Sequence, residues 1–152
     1  MPRMRYAEDL TVGTVFELGE RQLSAEEIVA FARDWDPQPF HVDPAFAEQT
    51  DFGGLIASGV QTIAVAQRLL FDAFFAGTAV IAGVAVDGLR MRRPVRPSTI
   101  ITGRAEIDEQ RLDDDGRGLI GFTVKLVDQD GDTLMTHRTT MLVSRRPTAA
   151  YT

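Results

Sequence analysis

Residues 59–75 carry a helical repeat with almost no polar side. Val60, Ile63, Ala64, Gln67, Leu70, Phe71 and Phe74 fall on one stripe, and Ala66, Leu69, Ala73 and Phe75 occupy much of the remainder. A helix that is apolar nearly all round must be covered on most of its sides, which places it at the centre of a domain. Ser58 stands where an N-cap is wanted. The segment includes Gln61, Gln67, Arg68 and Asp72, and it is too short and too polar to span a bilayer. After Gly77 the pattern changes to strands. Residues 79–92 are rich in valine, and Pro94 and Pro97 interrupt the run before residues 100–111. Residues 113–116 form a polar turn. Ile120, Phe122, Val124 and Leu126 then alternate with more polar positions, as in a half-buried strand. Asp130-Gly131 marks a hairpin and residues 134–144 the last strand. Strands segregated from helices give an α+β class: a four-stranded antiparallel meander curved around one long central helix.

The first third of the chain supplies the rest. Residues 12–21 read as a strand. Ser24-Ala25-Glu26-Glu27 is a capping box, and Ile28, Phe31, Ala32 and Trp35 repeat behind it at helical spacing. Pro37 disfavours helical backbone for Asp36 and ends that helix, and Pro39 restricts Gln38 in the same way. Residues 36–41 are therefore expected as a stiff, extended turn. Asp43-Pro44 pairs an N-cap with proline at the first helical position and opens a short helix to about Gln49. With 152 residues the chain is expected to be one domain, 1–152, with a core over about 6–145 and a frayed tail after Pro147. One sheet leaves a side of the central helix, or a sheet edge, uncovered, and this hints at a dimer.

Charge narrows the partners. A net charge of −6 argues against nucleic acid or an anionic membrane, so an anionic ligand would need a local basic patch. The chain has no cysteine, which excludes disulfides and thiolate chemistry and fits a reducing cytosol. Residues 1–9 show no apolar run of the kind a secretory leader needs, and a cytoplasmic location is the expectation.

The stretch Asp36-Pro37-Gln38-Pro39-Phe40-His41-Val42-Asp43 holds the most chemistry. Asp34 and Asp36 lie at a helix C-terminus, where the macrodipole disfavours negative charge, so the Asp36 pKa is expected to rise. An acid beside an imidazole is ordinary equipment for general acid–base catalysis. A turn-capping Asp36 and a structural His41 would leave the same residues. Residues 52–60 deliver a helix N-terminus whose free amides suit an oxyanion, and Gly59 would let a substrate approach the backbone. An ordinary capped helix start would look alike. Arg90, Arg92, Arg93 and Arg96 suit phosphates or a solvated strand end. His137 reads as structural, and Asp113 to Asp115 as a solvated turn rather than a metal site.

Taken together, these stretches resemble the MaoC family of acyl-CoA dehydratases, including the (R)-specific enoyl-CoA hydratases. The likeness rests on Asp36, Pro37, Gln38, Pro39, His41 and Asp43, on Ile56-Ala57-Ser58-Gly59, and on Leu89-Arg90-Met91-Arg92-Arg93-Pro94-Val95-Arg96-Pro97. It implies a hotdog fold and a lyase that interconverts a 2-enoyl and a 3-hydroxyacyl thioester, with CoA entering as part of the substrate and no other cofactor or metal. In that pattern Asp36 and His41 hold the reacting water, and the Gly59 amide meets the thioester oxygen. Ser58, Phe40, Gln67, Arg90 and Arg93 are then expected to bind substrate, with Trp35, Phe40, Leu69, Phe71 and Phe74 shaping the acyl pocket. A homodimer or a multiple of one follows from the same likeness. Ser58 stands where the family often has histidine, and Gln67 where it often has serine. A hotdog thioesterase and a non-catalytic acyl-CoA-binding subunit are the alternatives, and which of Asp36 and His41 is the base stays open.

Overall fold

Two serine caps set the helical half of the molecule. In the computed structural model, which describes residues 3–148, Ser24 accepts from the Glu27 amide while Glu27 reaches back to the Ser24 amide. Helix α1 (Ala25–Trp35) starts there. Ser58 accepts from the Val60 amide and starts α4 (Gly59–Ala73). Strand β1 (Val15–Gln22) precedes α1, and two short helices, α2 (Pro39–Val42) and α3 (Pro44–Glu48), lie between α1 and α4. Four strands follow: β2 (Val80–Met91), β3 (Ile100–Leu112), β4 (Arg117–Val127) and β5 (Thr133–Ser144). The tail expected to fray after Pro147 lies largely outside the described residues.

All the strands join one antiparallel sheet in the order β1-β3-β4-β5-β2, curved around α4 as in the hotdog fold. Only β3, β4 and β5 form a meander. The expected four-stranded meander is corrected at β2, which pairs with β5 and not with β3. The reason lies in residues 92–99. Pro94 and Pro97 prevent a tight hairpin, and the connection instead carries the chain across the sheet to its far side. As a result β2 is an edge strand.

The core lies between α4 and the sheet. Ile120, Phe122, Val124 and Leu126 are all buried, as their alternation requires. From α4 the buried positions are Gln61, Thr62, Val65, Ala66, Leu69 and Leu70. This corrects the expected stripe: Val60, Ala64, Gln67 and Phe71 are exposed and Ile63 is half-buried. Five strands cover only one side of a helix, so its second apolar side stays at the surface. The same holds for β2, where every residue except Ala85 is exposed, with Val84, Val86 and Leu89 among them. The helix also ends at Ala73, short of the expected Phe75, and a 3-10 turn covers Phe75–Gly77. Phe74 turns inward there and stacks on Phe16, with ring centroids 4.1 Å apart. Among the described residues no helix is long and apolar enough to cross a membrane.

Candidate active site

The end of α1 and the one-turn α2 bring an acid and an imidazole together. Asp36 caps α1, its amide donating to the Ala32 carbonyl. The stretch after it is not the extended turn that two prolines suggest. Gln38 is extended, as a residue before proline should be, but Pro39 takes the first position of α2, where its fixed φ favours a helical turn. The His41 amide donates to the Gln38 carbonyl, and the ring is turned back toward Asp36. His41 Nε2 lies 3.4 Å from Asp36 Oδ2, with the imidazole buried and the carboxylate partly open.

The other ring nitrogen fixes the tautomer. His41 Nδ1 lies 2.7 Å from the Ile56 carbonyl oxygen. A carbonyl can only accept, so Nδ1 carries the proton, and in the neutral ring Nε2 presents a lone pair toward Asp36. Phe40 meets the imidazole edge-on at 4.5 Å between centroids and touches Phe52 at 5.7 Å. It braces the ring.

Asp36 is held as a carboxylate. Ser58 Oγ donates to Oδ2 at 2.7 Å and Gln38 Nε2 donates to Oδ1 at 2.8 Å. The Ser58 bond is the largest influence and Gln38 the next, and together with the neighbouring His41 they outweigh burial and hold the Asp36 pKa below its ordinary value. The expected rise from the helix C-terminus is therefore corrected: two donors to the charged form win over a partial dipole. Ser58 is corrected as well. Expected to touch substrate, it is fully buried and gives its one hydroxyl to both the α4 cap and Asp36.

His41 and Gly59 line a cleft of about 260 Å³ together with Thr62, Met91, Arg92 and Arg93. Asp36 is not part of its wall and reaches it through His41. Gly59 is the first residue of α4, where the amide has no acceptor within the helix. Of the expected substrate contacts, Arg93 reaches this cleft, its guanidinium 3.7 Å from Asp132. Arg90 and Phe40 do not line it. Gln67 lies apart, in a second groove of about 710 Å³ with Phe71, Val84, Val86 and His137. Burial holds the His137 imidazole below its usual pKa, and Thr139 Oγ1 is 3.2 Å from its Nδ1. None of the residues expected to shape an acyl pocket lines the cleft beside His41: Leu69 and Phe74 are core, while Trp35 is 72% exposed. Sequence reasoning missed the parts of Ser58 and Gln38 in holding Asp36. The only signal was a serine cap immediately before a glycine, and it names no partner.

Removing the Ser58 hydroxyl tests this arrangement. In Ser58→Ala the carboxylate loses its strongest donor, so the Asp36 titration followed by carboxyl carbon NMR should move to higher pH. The sign follows from the shift: the lowered pKa stabilises the folded protein above the ordinary value of 3.8, and this contribution is lost as pH falls through the lowered one. The lost cap should cost about 1 kcal/mol besides. An Asp36 titration unmoved by the substitution would remove Ser58 from this role.

Comparison with known proteins gives a consistent picture. The model of the MaoC like domain matches residues 9–127. An uncharacterized protein of Bacillus subtilis, YdeM, is 37% identical over 90 residues, covering 59% of this chain and 64% of that one. A 3-hydroxybutyryl-CoA dehydratase of Methylorubrum extorquens is 33% identical over 111 residues, covering 70% of this chain and 66% of that one. The chain thus spans just under two thirds of the length of these relatives. The crystal structure of a MaoC-like dehydratase from Rhodospirillum rubrum superimposes with a TM-score of 0.85 at 30% identity, covering 95% of this chain and 99% of that one.

Proposed function

Since the chain belongs to the MaoC-like domain family, we propose that it interconverts a 2-enoyl thioester and a 3-hydroxyacyl thioester by adding or removing water at Asp36 and His41. One observation carries this reading: His41 Nδ1 is pinned as a donor, which leaves Nε2 facing a carboxylate that two hydrogen bonds keep ionised. Two acceptors so placed suit a single water that donates one hydrogen to each. In hydration, Nε2 takes a proton from that water as its oxygen bonds to the β-carbon. The π electrons move toward the thioester carbonyl, whose oxygen the Gly59 amide stabilises. The imidazolium, steadied by Asp36, then returns the proton to the α-carbon. Dehydration runs the same steps backward, and the site ends each turnover with the protons it began with. Arg92 and Arg93, which line the cleft, suit the phosphates of a CoA carrier. The M. extorquens relative, a 3-hydroxybutyryl-CoA dehydratase by name, supports the same chemistry. The lack of cysteine fits a cytoplasmic enzyme.

Crotonyl-CoA tests the reading. The protein should bleach the conjugated enoyl absorbance while no thiol is released. Release of free CoA would instead make it a thioesterase, and binding without turnover a non-catalytic subunit.

The uncovered surface supports a homodimer. Strand β2 is a twelve-residue edge whose valines and leucine are exposed, and the bare side of α4 with Phe71 lies beside it. Such an edge invites pairing with another strand. Sedimentation at micromolar concentration should show a dimer, and Val86→Lys, placing a charge where the side chain is 61% exposed, should shift it toward monomer. A monomeric wild type would contradict this assembly.

A further inference from the structure

The two hollows on this face follow one seam. The cleft takes Gly59 and Thr62 from the start of α4 and Met91 from the end of β2. The groove takes Ile63, Gln67 and Phe71 from further along α4, and Val86 and Val80 from earlier in β2. Helix and strand therefore run antiparallel, and the groove takes up where the cleft stops. Strand β5 supplies its floor. His137 and Thr139 pair with Val124 and Phe122, both buried, so their side chains share the face of the sheet that looks toward α4.

The groove is mostly apolar, and no Asp, Glu, Lys or Arg lines it. Gln67, His137 and Thr139 interrupt the apolar wall. The imidazole is 8% exposed. Its Nδ1 meets Thr139 Oγ1, and its Nε2 has no partner among the described residues. Burial keeps the ring neutral at pH 7, so Nε2 donates or accepts according to the tautomer. The Gln67 carboxamide does both. A hydroxyl matches such groups in either sense, and a carboxylate would find no cation. About 710 Å³ of apolar space with a few placed polar groups has the make-up of a small-molecule site. A second copy pairing at the edge of β2 would roof this space. An apolar side chain filling it would strip water from the imidazole and return no hydrogen bond.

We propose that the groove receives the far end of the acyl chain, and that Gln67 and His137 select chains carrying a neutral hydroxyl there. The inference rests on the reading above, in which the thioester oxygen meets the Gly59 amide. From Gly59 to Gln67 the helix rises about 12 Å, at roughly 1.5 Å per residue. An extended chain gains about 3.3–3.6 Å over three bonds, so about ten bonds span that rise. The terminal hydroxyl of a 10-hydroxy-2-decenoyl thioester stands at this distance from the carbonyl carbon. The test compares kcat/KM for 10-hydroxy-2-decenoyl-CoA and 2-decenoyl-CoA in the wild type, Gln67→Leu and His137→Leu, with crotonyl-CoA turnover by the wild type alongside. The wild type should favour the hydroxylated substrate by about tenfold or more. Each leucine variant should cut that preference by about fivefold, the worth of one neutral hydrogen bond. A ratio of two substrates on one sample is unaffected by a partly unfolded fraction, and Gln67 is exposed on the helix, so its variant carries the test if the buried His137→Leu does not fold. Equal use of the two ten-carbon substrates by the wild type, or a wild-type ratio in both variants, overturns the proposal while crotonyl-CoA hydration keeps the hydratase reading in place. Variants that keep the ratio but sediment differently give the groove to the second copy instead. A wild type inactive on all three substrates sinks that reading and this proposal with it.

Discussion

Asp36→Asn and His41→Ala should each lower kcat on crotonyl-CoA by about a hundredfold or more while KM changes little, because general acid–base groups act mainly in the transition state. Asparagine preserves the shape of the Asp36 side chain and can still meet the Ser58 hydroxyl, which is free to turn and donate or accept. It cannot carry the negative charge that steadies the imidazolium. Alanine at position 41 removes the proposed proton carrier outright. It also leaves the Ile56 carbonyl without its donor and Phe40 without its edge contact, so some loss of stability, about 1–3 kcal/mol, should accompany the kinetic effect. Thermal unfolding separates the two. The double variant should be little slower than the worse single one, since the two groups act on the same proton. Wild-type rates in both single variants would show that the pair is structural.

The largest expected effect on stability lies at the other end of α4. Phe74 is fully buried, stacked on Phe16 at an interplanar angle of 7°, and set edge-on to Phe122 at 5.3 Å. It ties the helix end to β1 and β4 at once. Phe74→Ala should cost about 3–5 kcal/mol, through lost transfer energy and the cavity left behind. Urea unfolding at a fixed protein concentration measures this, since dimer formation would couple to stability. A loss below about 1 kcal/mol would mean that the site collapses around the smaller residue, and that the cluster of Phe16, Phe74 and Phe122 is not the anchor described.

Local signals read well from the sequence. The capping box at Ser24, the cap at Ser58 and the alternation of Ile120, Phe122, Val124 and Leu126 each specify structure within a few residues, and each is present. The acid–histidine pair reads from its spacing, but the turn between the two does not: two prolines suggest an extended run, whereas Pro39 opens a helical turn that swings His41 back to Asp36. Long-range relations did not read. The buried face of α4 could not be chosen, because a helix that is apolar on both sides gives the same periodicity whichever side the sheet takes. The place of β2 depends on pairing with β5, far along the chain, and adjacency suggested β3 instead. The direction of the Asp36 shift escapes a local reading for the same reason. The helix dipole is a property of neighbours in sequence, while the donor that overrules it, Ser58, arrives from 22 residues away.

Oxygen transfer from labelled water bears most directly on the claim that Asp36 and His41 add water across a double bond. Wild type and Asp36→Asn are incubated with crotonyl-CoA in ¹⁸O-water, and the intact thioesters and any free acids are analysed by mass spectrometry. The wild type should yield 3-hydroxybutyryl-CoA carrying one ¹⁸O in its hydroxyl group, with Asp36→Asn forming on the order of a hundredfold less in the same time. Label appearing in the carboxyl group of free crotonate, or labelled hydroxyacyl-CoA formed equally fast by the asparagine variant, would contradict it.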